Sequence, residues 1–334
     1  MSCSHSAHGR LTALVIGAVL GVAACTSAAP ASTPTPSTTS VAVPESTTSA
    51  PLDQGVFVGA DGVETTVGNT SRIVSLTGDI TEIIYELGLG DSIVAVDITT
   101  TYPPEANDLK RSGNNVGFGQ ALAPESVLRY EPTLVIGDES IQPTETLEQL
   151  RSAGVPVIIL KYQTTLRGVE EKIQDIARIL GVVDAGEELS RRVMAEVATA
   201  EGRAAQAKEQ LRVAYLYTRG PSVILLFGTG IPTQAMIEGA GAIDVGAAAG
   251  EGAIPLTPEA LVAAAPDVIV FPESGVDGLG GFDALLEIPG IAETPAGQNQ
   301  AFLAYDEAYF FNLGPRVGAA LNDFVDDLYP ELAD

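Results

Sequence analysis

Tyr217 and Arg219 are two positions apart near the end of the apolar segment VAYLYTR, whose pattern is typical of a β-strand. Residues i and i+2 of a strand point to the same face, so the phenol and the guanidinium are expected side by side. A cation beside a phenol favours the phenolate and lowers the pKa of the phenol. Phenolate is a hard anionic ligand suited to ferric iron. The pair is therefore a candidate iron ligand with its partner; the alternative is a core tyrosine beside a surface arginine, as we expect for Tyr215.

Histidine and cysteine are nearly missing from this sequence, and this excludes most common catalytic and metal chemistry. The only histidines are His5 and His8, and the only cysteines are Cys3 and Cys25. Without them beyond residue 25, a Ser-His-Asp or Cys-His nucleophile, a histidine-rich zinc or manganese site and a thiolate cluster are all ruled out. The shortage of histidine and cysteine does not exclude a hydrolase that uses only carboxylates, but no motif in the sequence supports one. We therefore expect no enzyme activity and no catalytic cofactor.

Two segments of the chain have similar sequences, and each has a glutamate at the start of a short predicted helix. LAPESVLRYEPTLVIGDES covers residues 122–140, and LTPEALVAAAPDVIVFPES covers residues 256–274. Glu125 and Glu259 occupy equivalent places in the two copies. A glutamate in the first turn of a helix stabilises that helix, which is the simpler explanation. The alternative is a pair of docking carboxylates, one presented by each of two similar lobes.

The first 24 residues have the pattern of a secretory signal peptide. Arg10 precedes the apolar run LTALVIGAVLGVAAC, which is too short for a membrane span and ends in small residues. The letters V-A-A-C resemble a bacterial lipobox, so Cys25 is the expected lipidation site. We expect the mature protein to be extracytoplasmic and held at the outer face of the cell membrane by that lipid alone.

Residues 25–54 are rich in serine, threonine, proline and alanine, and such a tract is expected to be a disordered tether.

The chain has 17 Lys and Arg against 43 Asp and Glu, a formal net charge of −26. A charge balance this acidic argues against nucleic acid and other polyanions as partners.

Residues 71–334 alternate between strand-like and helix-like segments, which predicts parallel sheets covered by helices on both faces. We predict a first lobe over residues 71–165 and a second over residues 212–334. Residues 166–211 are predicted to be helical with a break near residues 181–186, leaving one long rigid helix of about 24 residues from residue 187. The predicted fold class is α/β, with two Rossmann-like lobes, parallel central sheets and a ligand cleft between the lobes.

A family resemblance rests on several of these segments in order. RIVSL, TEIIYELGLGDSIVAVD, VGFGQALAPESVLRYEPTLVI, the long helix, LTPEALVAAAPDVIVF and LGPR together resemble class III periplasmic binding proteins of ABC importers. Members of this class carry haem, ferric siderophores or cobalamin. YTRG, LLFGTG, IEGAGAIDV and PAGQNQAF are most similar to the actinobacterial hemin-binding lipoproteins of the HmuT kind.

The resemblance implies a function for the two glutamates and for the cleft. Glu125 and Glu259 would each face an arginine of the ABC permease, which works with its ATPase. The ligand would bind between the lobes, where the carboxyl ends of strands in open α/β sheets commonly hold ligands. We expect the protein to act as a monomer.

Tyr217 and Arg219 match the ligand of haem iron and its partner in the hemin-binding subgroup, but Phe118 departs from the subgroup's pattern. The relatives carry a histidine at that place, and no histidine of the mature chain can replace it. Haem could be five-coordinate through Tyr217 with Phe118 packed on the porphyrin face. The cleft could instead hold a ferric siderophore or a corrinoid.

Five further residues are expected near the ligand. Gln120 follows Phe118 closely, and Tyr102 and Tyr162 follow strands of the first lobe. Thr77 and Asp79 begin a predicted helix that can offer backbone N–H groups to the cleft, or they simply cap that helix.

We therefore predict a lipid-anchored solute-binding protein that captures an iron compound and delivers it to a permease. Hemin is the first candidate for that compound. The alternative within the class is a carrier of a ferric siderophore or cobalamin. The alternative outside it is a surface adhesin or an enzyme on the same scaffold.

Overall fold

Two β-sheets, one in each half of the chain, organise the fold. The computed structural model describes residues 55–220 and 223–333; the side chain of Gln120 is not among what it describes. The predicted signal peptide, Cys25 and the tether all lie outside these residues.

The first lobe contains six strands and four helices. They are β1 (Gly55–Val58), β2 (Glu64–Val67), β3 (Ile73–Ser75), α1 (Gly78–Glu86), β4 (Ile93–Ala95), α2 (Pro104–Arg111), α3 (Pro124–Leu128), β5 (Leu134–Asp138), α4 (Thr144–Ser152) and β6 (Val157–Leu160). Strands β3 to β6 form a parallel sheet in the order β4-β3-β5-β6. This order places β3 inside the sheet, and the parallel pairing is the one that the alternation of strands and helices predicts.

The hairpin β1–β2 was not anticipated from the sequence. It is antiparallel and pairs Val56 with Thr66. Its Thr65 hydroxyl donates to the carbonyl of Val157 on the edge strand β6, at 3.1 Å. Arg151 of α4 forms a 2.5 Å ion pair with Asp61 at the hairpin's turn. The hairpin is therefore attached to the outer edge of the first lobe.

Two helices, α5 (Gly168–Ile179) and α6 (Val183–Ala204), lead from the first lobe to the second. Gly181 has φ +71°, a left-handed conformation that suits glycine and ends α5. The break therefore lies where the sequence placed it, but the long helix differs from the prediction. It has 22 residues, begins before residue 187 and ends at Ala204 rather than near residue 211. The polar residues after Ala207 lack the apolar face that would hold another helical turn against the core.

Over its described residues, the second lobe contains six strands and seven helices. They are β7 (Arg212–Thr218), β8 (Ile224–Phe227), α7 (Pro232–Gly239), β9 (Ile243–Asp244), β10 (Ala253–Pro255), α8 (Pro258–Ala264), β11 (Val268–Pro272), α9 (Glu273–Leu279), α10 (Phe282–Leu285), α11 (Pro295–Asn299), β12 (Phe302–Tyr305), α12 (Glu307–Phe310) and α13 (Val317–Leu328). Strands β9, β7, β11 and β12 run parallel.

The second sheet departs from the expected parallel arrangement at one edge. β8 pairs antiparallel with β7, and β10 pairs antiparallel with β8. The reason is the connection between β7 and β8, residues 219–223, because a parallel crossover needs a dozen or more residues. The two-lobed α/β fold class is confirmed, with a mixed sheet in the second lobe.

One apolar core is shared by the two lobes. Alternate residues of a strand face opposite sides of a sheet, so Ile73 packs in the shared core while Val74 packs in the first lobe's own core. In β7 the same alternation places Tyr215 in the shared core and Leu216 in the core of the second lobe. Helices α1, α5, α6 and α13 complete the shared core. Continuous packing of this kind limits how far the lobes can move apart.

Candidate functional site

The carboxyl ends of the parallel strands in both sheets carry polar side chains. In the first lobe, Asp97 follows β4, Asp138 ends β5 and Tyr162 follows β6. In the second lobe, the register pairs Pro272 of β11 with Tyr305 of β12. In the neighbouring pair of strands, Val270 of β11 lies opposite Tyr215 of β7. Two residues further along both strands, Tyr217 lies opposite Pro272 and is therefore in the same row across the sheet as Tyr305. Neighbouring strands lie about 4.8 Å apart, so Tyr217 and Tyr305 are separated by about 10 Å across the sheet edge.

A cavity of about 440 Å³ lies between the lobes at these strand ends. It is lined by Thr101 and Tyr102 of the first lobe and by Glu273, Tyr305, Asp306, Tyr309 and Arg316 of the second. Its lining is aromatic and carries charges, which suits a flat ligand with polar substituents. Of the predicted ligand residues whose side chains the structure describes, Tyr102 is the one that lines this cavity.

Arg316, just before α13, is held at this cavity by contacts from both lobes. Its Nε and Nη2 atoms donate to the carboxylate of Glu82 in α1, at 2.9 and 2.7 Å. Its guanidinium carbon lies 3.8 Å from the ring centroid of Tyr102 and 5.0 Å from that of Tyr309. A bidentate ion pair together with stacking on aromatic rings fixes the plane of an arginine.

Glu82 is 2% exposed, and burial raises its pKa to about 7. The hydrogen bond and the charge of Arg316 oppose this shift, and the nearby carboxylates of Asp79 and Asp306 add to it. Burial has the larger effect because a carboxylate loses most of its hydration at such a position. Glu82 therefore titrates near neutral pH.

Asp79 and Thr77 lie at the start of α1 in a buried setting. The carboxylate of Asp79 accepts a hydrogen bond from the Lys172 ammonium of α5, and both side chains are almost fully buried. The same ammonium lies 3.5 Å from the carbonyl oxygen of Leu313 in the second lobe. Thr77 is the N-cap residue of α1, and its hydroxyl makes no side-chain cap bond. These contacts give Asp79 a role at the lobe interface; its predicted contact with a ligand stays a prediction.

Two tyrosines of the cavity have their hydroxyl groups engaged elsewhere. Tyr305 donates to Asp327, and Tyr309 donates to Asp323 at 2.7 Å. Burial and these carboxylates raise the pKa of both phenols. Neither phenol is therefore suited to lose its proton to a metal ion.

Tyr217 differs from those two tyrosines because its hydroxyl makes no hydrogen bond to a carboxylate of the described residues. The guanidinium of Arg219 lies beside Tyr217, and its carbon is 5.7 Å from the ring centroid. The ring of Tyr217 stacks on Phe227 at 5.3 Å. The predicted side-by-side arrangement is therefore present. The predicted net lowering of the pKa is wrong, because burial and the carboxylate of Glu307 raise the pKa of Tyr217 more than Arg219 lowers it.

The remaining predicted ligand residues lie in the first lobe. Phe118 is 44% exposed and makes no ring-to-ring contact with another described aromatic residue. Gln120 belongs to the 3-10 turn Gly119–Ala121. Tyr162 is half-buried, and burial together with Asp138 raises its pKa to about 12. The roles of these residues in binding stay predictions.

Glu125 and Glu259 occupy the same place in two short helices, α3 and α8. In each helix proline is the first residue and glutamate the second, and both glutamate side chains are exposed. Among the described residues, neither carboxylate forms a salt bridge. Each lobe thus presents the glutamate at this equivalent position to solvent.

Several residues of the cleft were not predicted from the sequence, among them Arg316, Glu82, Tyr305 and Tyr309. The segment LGPR contributed to the resemblance, but nothing near it indicates that its arginine pairs with a glutamate 234 positions away. A buried glutamate on the apolar helix α1 was the one available signal, since such a charge requires a partner.

Within residues 55–220 and 223–333, no helix combines the length and the apolar character needed to cross a bilayer.

The sequence model of the periplasmic binding protein family matches residues 73–309. The chain therefore belongs to this family, and its two lobes are those of class III, as the sequence predicted. The family consists of binding proteins.

Two solved structures are similar over most of the chain. The periplasmic heme-binding protein RhuT from Roseiflexus sp. RS-1 is 42% identical with a TM-score of 0.75, covering 79% of this chain and 100% of that one. The heme-binding protein HmuT is 34% identical with a TM-score of 0.78, covering 86% of this chain and 94% of that one.

Curated relatives are more distant. The ABC transporter substrate-binding lipoprotein YvrC of Bacillus subtilis is 26% identical over 78% of this chain and 80% of its own length. The vitamin B12-binding protein of Vibrio campbellii is 28% identical over 170 residues, which is 50% of this chain, and the match spans only 58% of that protein.

Proposed function

We propose that this protein binds haem in the cleft between its lobes and performs no catalysis. The observation that carries the proposal is the side-by-side pair of Tyr217 and Arg219 at the carboxyl end of β7. Tyr217 lies in one row with Tyr305, which lines the inter-lobe cavity. The similar proteins RhuT and HmuT, both named heme-binding, add support.

Variants of HmuT strengthen the comparison of these residues. Structures of that protein exist with a tyrosine, an arginine and a histidine each replaced by alanine. The arginine lies two positions after the tyrosine, as Arg219 does after Tyr217. The histidine lies as far before the tyrosine as Phe118 lies before Tyr217. These spacings support Tyr217 as the iron ligand of this chain and Phe118 as an aromatic contact where HmuT has an imidazole.

The raised pKa of Tyr217 has a consequence for binding. The phenol is protonated at neutral pH before the ligand arrives, and ferric iron binds the phenolate. Binding therefore releases a proton, and Arg219 stabilises the anion that forms. Tyr217 would be the one protein ligand of the iron.

A titration of the purified protein with hemin tests the proposal. We expect saturable binding with the visible charge-transfer band of a ferric iron–phenolate complex. Tyr217→Phe should abolish this band, whereas Tyr130→Phe, which alters a phenol bonded to the carbonyl of Gly113 in the first lobe, should leave it unchanged. An identical spectrum for Tyr217→Phe would remove Tyr217 as the ligand.

Cobalamin is the second candidate, because several curated relatives are named vitamin B12-binding proteins. Their matches cover only part of each protein. Titration with cyanocobalamin under the same conditions separates the two ligands, since a corrinoid carrier would bind it in preference to hemin and would not depend on Tyr217.

Delivery of the ligand is the second part of the proposed function. An ABC permease with its ATPase would dock on the face that presents Glu125 and Glu259, one from each lobe. Their equivalent positions and exposure support this role. The similarity to the ABC transporter substrate-binding lipoprotein YvrC points to the same type of partner. We expect the protein to act as a monomer.

Attachment to the membrane would come from Cys25. The apolar run that ends in V-A-A-C supports cleavage before Cys25 and lipidation of its thiol, and residues 25–54 would then link the lipid to the folded part. Metabolic labelling with a fatty acid tests this: the label should be present in the native protein and missing from Cys25→Ala. Equal labelling of both would contradict the lipid anchor.

A further inference from the structure

The guanidinium of Arg316 has one edge that the protein does not use. Nε and Nη2 donate to Glu82, and the rings of Tyr102 and Tyr309 lie near the guanidinium carbon. Nη1 makes no hydrogen bond to another described residue. The side chain is 23% exposed and lines the inter-lobe cavity. An arginine held in a fixed plane with two or more free N–H donors is suited to bind a carboxylate in two-point fashion.

The other charges around the cavity make this position distinctive. Glu273 and Asp306 line the same cavity and repel anions. Among the described residues that line it, Arg316 is the one cation. An anionic substituent of a ligand in this cleft would therefore be stabilised beside Arg316 and disfavoured beside the two carboxylates.

We propose that Arg316 binds a carboxylate substituent of the cleft ligand, and that Glu82 positions Arg316 for this contact. This inference rests on the proposed function, since it assigns to one residue the recognition of the carboxylates of a haem-type macrocycle. Tyr217 would hold the iron, and Arg316 would select the acid form of the porphyrin over its neutral derivatives.

Glu82 then links ligand binding to protonation. The charged groups that face it are Arg316 and Asp306 from the second lobe and Asp79 from its own helix, and Asp79 is itself paired with Lys172. A second carboxylate on Arg316 would compete for its positive charge and would favour protonated Glu82. Replacing Glu82 by glutamine mimics the protonated form and keeps an oxygen that accepts from Arg316.

The test compares hemin with hemin dimethyl ester, in which both carboxylates are esterified. Both probes are titrated against the full-length protein in the same solvent mixture. The native protein should bind hemin at least about tenfold more tightly than the ester, because a charge-assisted hydrogen bond is lost in the ester. In Arg316→Gln this ratio should fall to about one through loss of affinity for hemin, while affinity for the ester stays within about twofold.

Glu82→Gln tests the positioning of Arg316. It loses the charge of the ion pair but keeps an oxygen that accepts from Arg316, so it should keep or increase the preference for hemin, and loss of that preference would contradict the positioning role of Glu82. Arg192→Gln removes the surface ion pair of Arg192 with Glu86 of the same helix α1 and should leave both affinities unchanged. Equal binding of hemin and ester by the native protein, or an unchanged ratio in Arg316→Gln, would overturn this inference and leave the proposed function standing. Failure of the native protein to bind either probe would overturn both.

Discussion

Glu82 and Arg316 join the two lobes by a bidentate ion pair, although 234 positions separate them in sequence. Glu82 belongs to α1 of the first lobe, and Arg316 precedes α13 of the second. A second buried pair, Asp79 with Lys172, lies beside the carbonyl of Leu313 from the same segment as Arg316. Buried ion pairs contribute little net stability but are costly to break one partner at a time, so these contacts define how the lobes meet at the cleft.

The first prediction concerns pH and stability. The ordinary pKa of a glutamate is 4.5, whereas burial raises the pKa of Glu82 in the folded protein to about 7, so between these values the folded protein binds more protons than the unfolded chain. The free energy of unfolding contributed by Glu82 is therefore greatest below pH 4.5 and falls as pH rises to about 7, by on the order of 3 kcal/mol. Denaturant unfolding at a series of pH values measures this.

Glu82→Gln should flatten that part of the profile, whereas Glu86→Gln, which alters an exposed ion pair on the same helix, should reproduce the native slope. A profile for Glu82→Gln that is parallel to the native one would show that Glu82 titrates at its ordinary pKa.

The second prediction concerns the pH dependence of hemin binding. Because the pKa of Tyr217 lies above its usual value of 10.0, the phenol is protonated between pH 6 and pH 9. Formation of the iron–phenolate bond releases that proton, so this step should favour binding by up to about tenfold per unit of rising pH. Arg219→Gln should raise the pKa further and reduce the affinity at pH 7 by about tenfold. An affinity that does not change with pH, in a protein that keeps the charge-transfer band, would contradict this account.

The third prediction concerns delivery. Glu125→Lys and Glu259→Lys should each reduce uptake of the ligand by whole cells, and the double variant should abolish it, because like charges would then face each other at the proposed permease contact. Hemin binding by the purified variants should stay within about twofold of the native value. Glu188→Lys, which reverses an exposed charge on α6, serves as the control and should transport normally. Normal uptake by the double variant would remove both glutamates from docking.

The fourth prediction concerns the packing of α6 against α13. A Cβ added at Gly318 would lie 2.4 Å from the Cβ of Glu196 and 3.0 Å from the carbonyl oxygen of Val193. Gly318→Ala should therefore destabilise the protein by about 1–3 kcal/mol through overpacking. Gly202 lies in α6, the helix that Gly318 of α13 approaches, and no atom is within 4 Å of a Cβ added there. Gly202→Ala should therefore stabilise the protein by about 0.5–1 kcal/mol. Thermal unfolding distinguishes the two signs, and a stabilised Gly318→Ala would refute the close approach of the helices.

Local patterns predicted the parts of the fold that depend on local chemistry. Apolar runs such as TLVIG form the buried strand β5, and the Pro-Glu dipeptide of each repeated segment forms the first two residues of α3 and α8. Gly181 marked the break between α5 and α6, since a glycine tolerates the left-handed conformation that ends a helix. The side-by-side position of Tyr217 and Arg219 was also predictable, because residues two positions apart in a strand point to the same face.

Other features could not be derived in this way. The antiparallel pairing of β8 depends on a turn that the apolar pattern does not distinguish from a crossover. The net pKa of Tyr217 depends on burial and on Glu307, which is distant in sequence. The hydroxyl groups of Tyr305 and Tyr309 became engaged by carboxylates of α13.

By itself, the amino-acid sequence determined that this protein has two α/β lobes, that histidine and cysteine chemistry is excluded beyond residue 25, and that a phenol next to a guanidinium ends the first strand of the second lobe. These properties follow from composition and from spacing within one element. Only the tertiary structure decided which charges meet at the cleft, above all Glu82 with Arg316. The physical reason is that partners for buried charges are chosen by the packing of distant segments, and no local pattern carries that information.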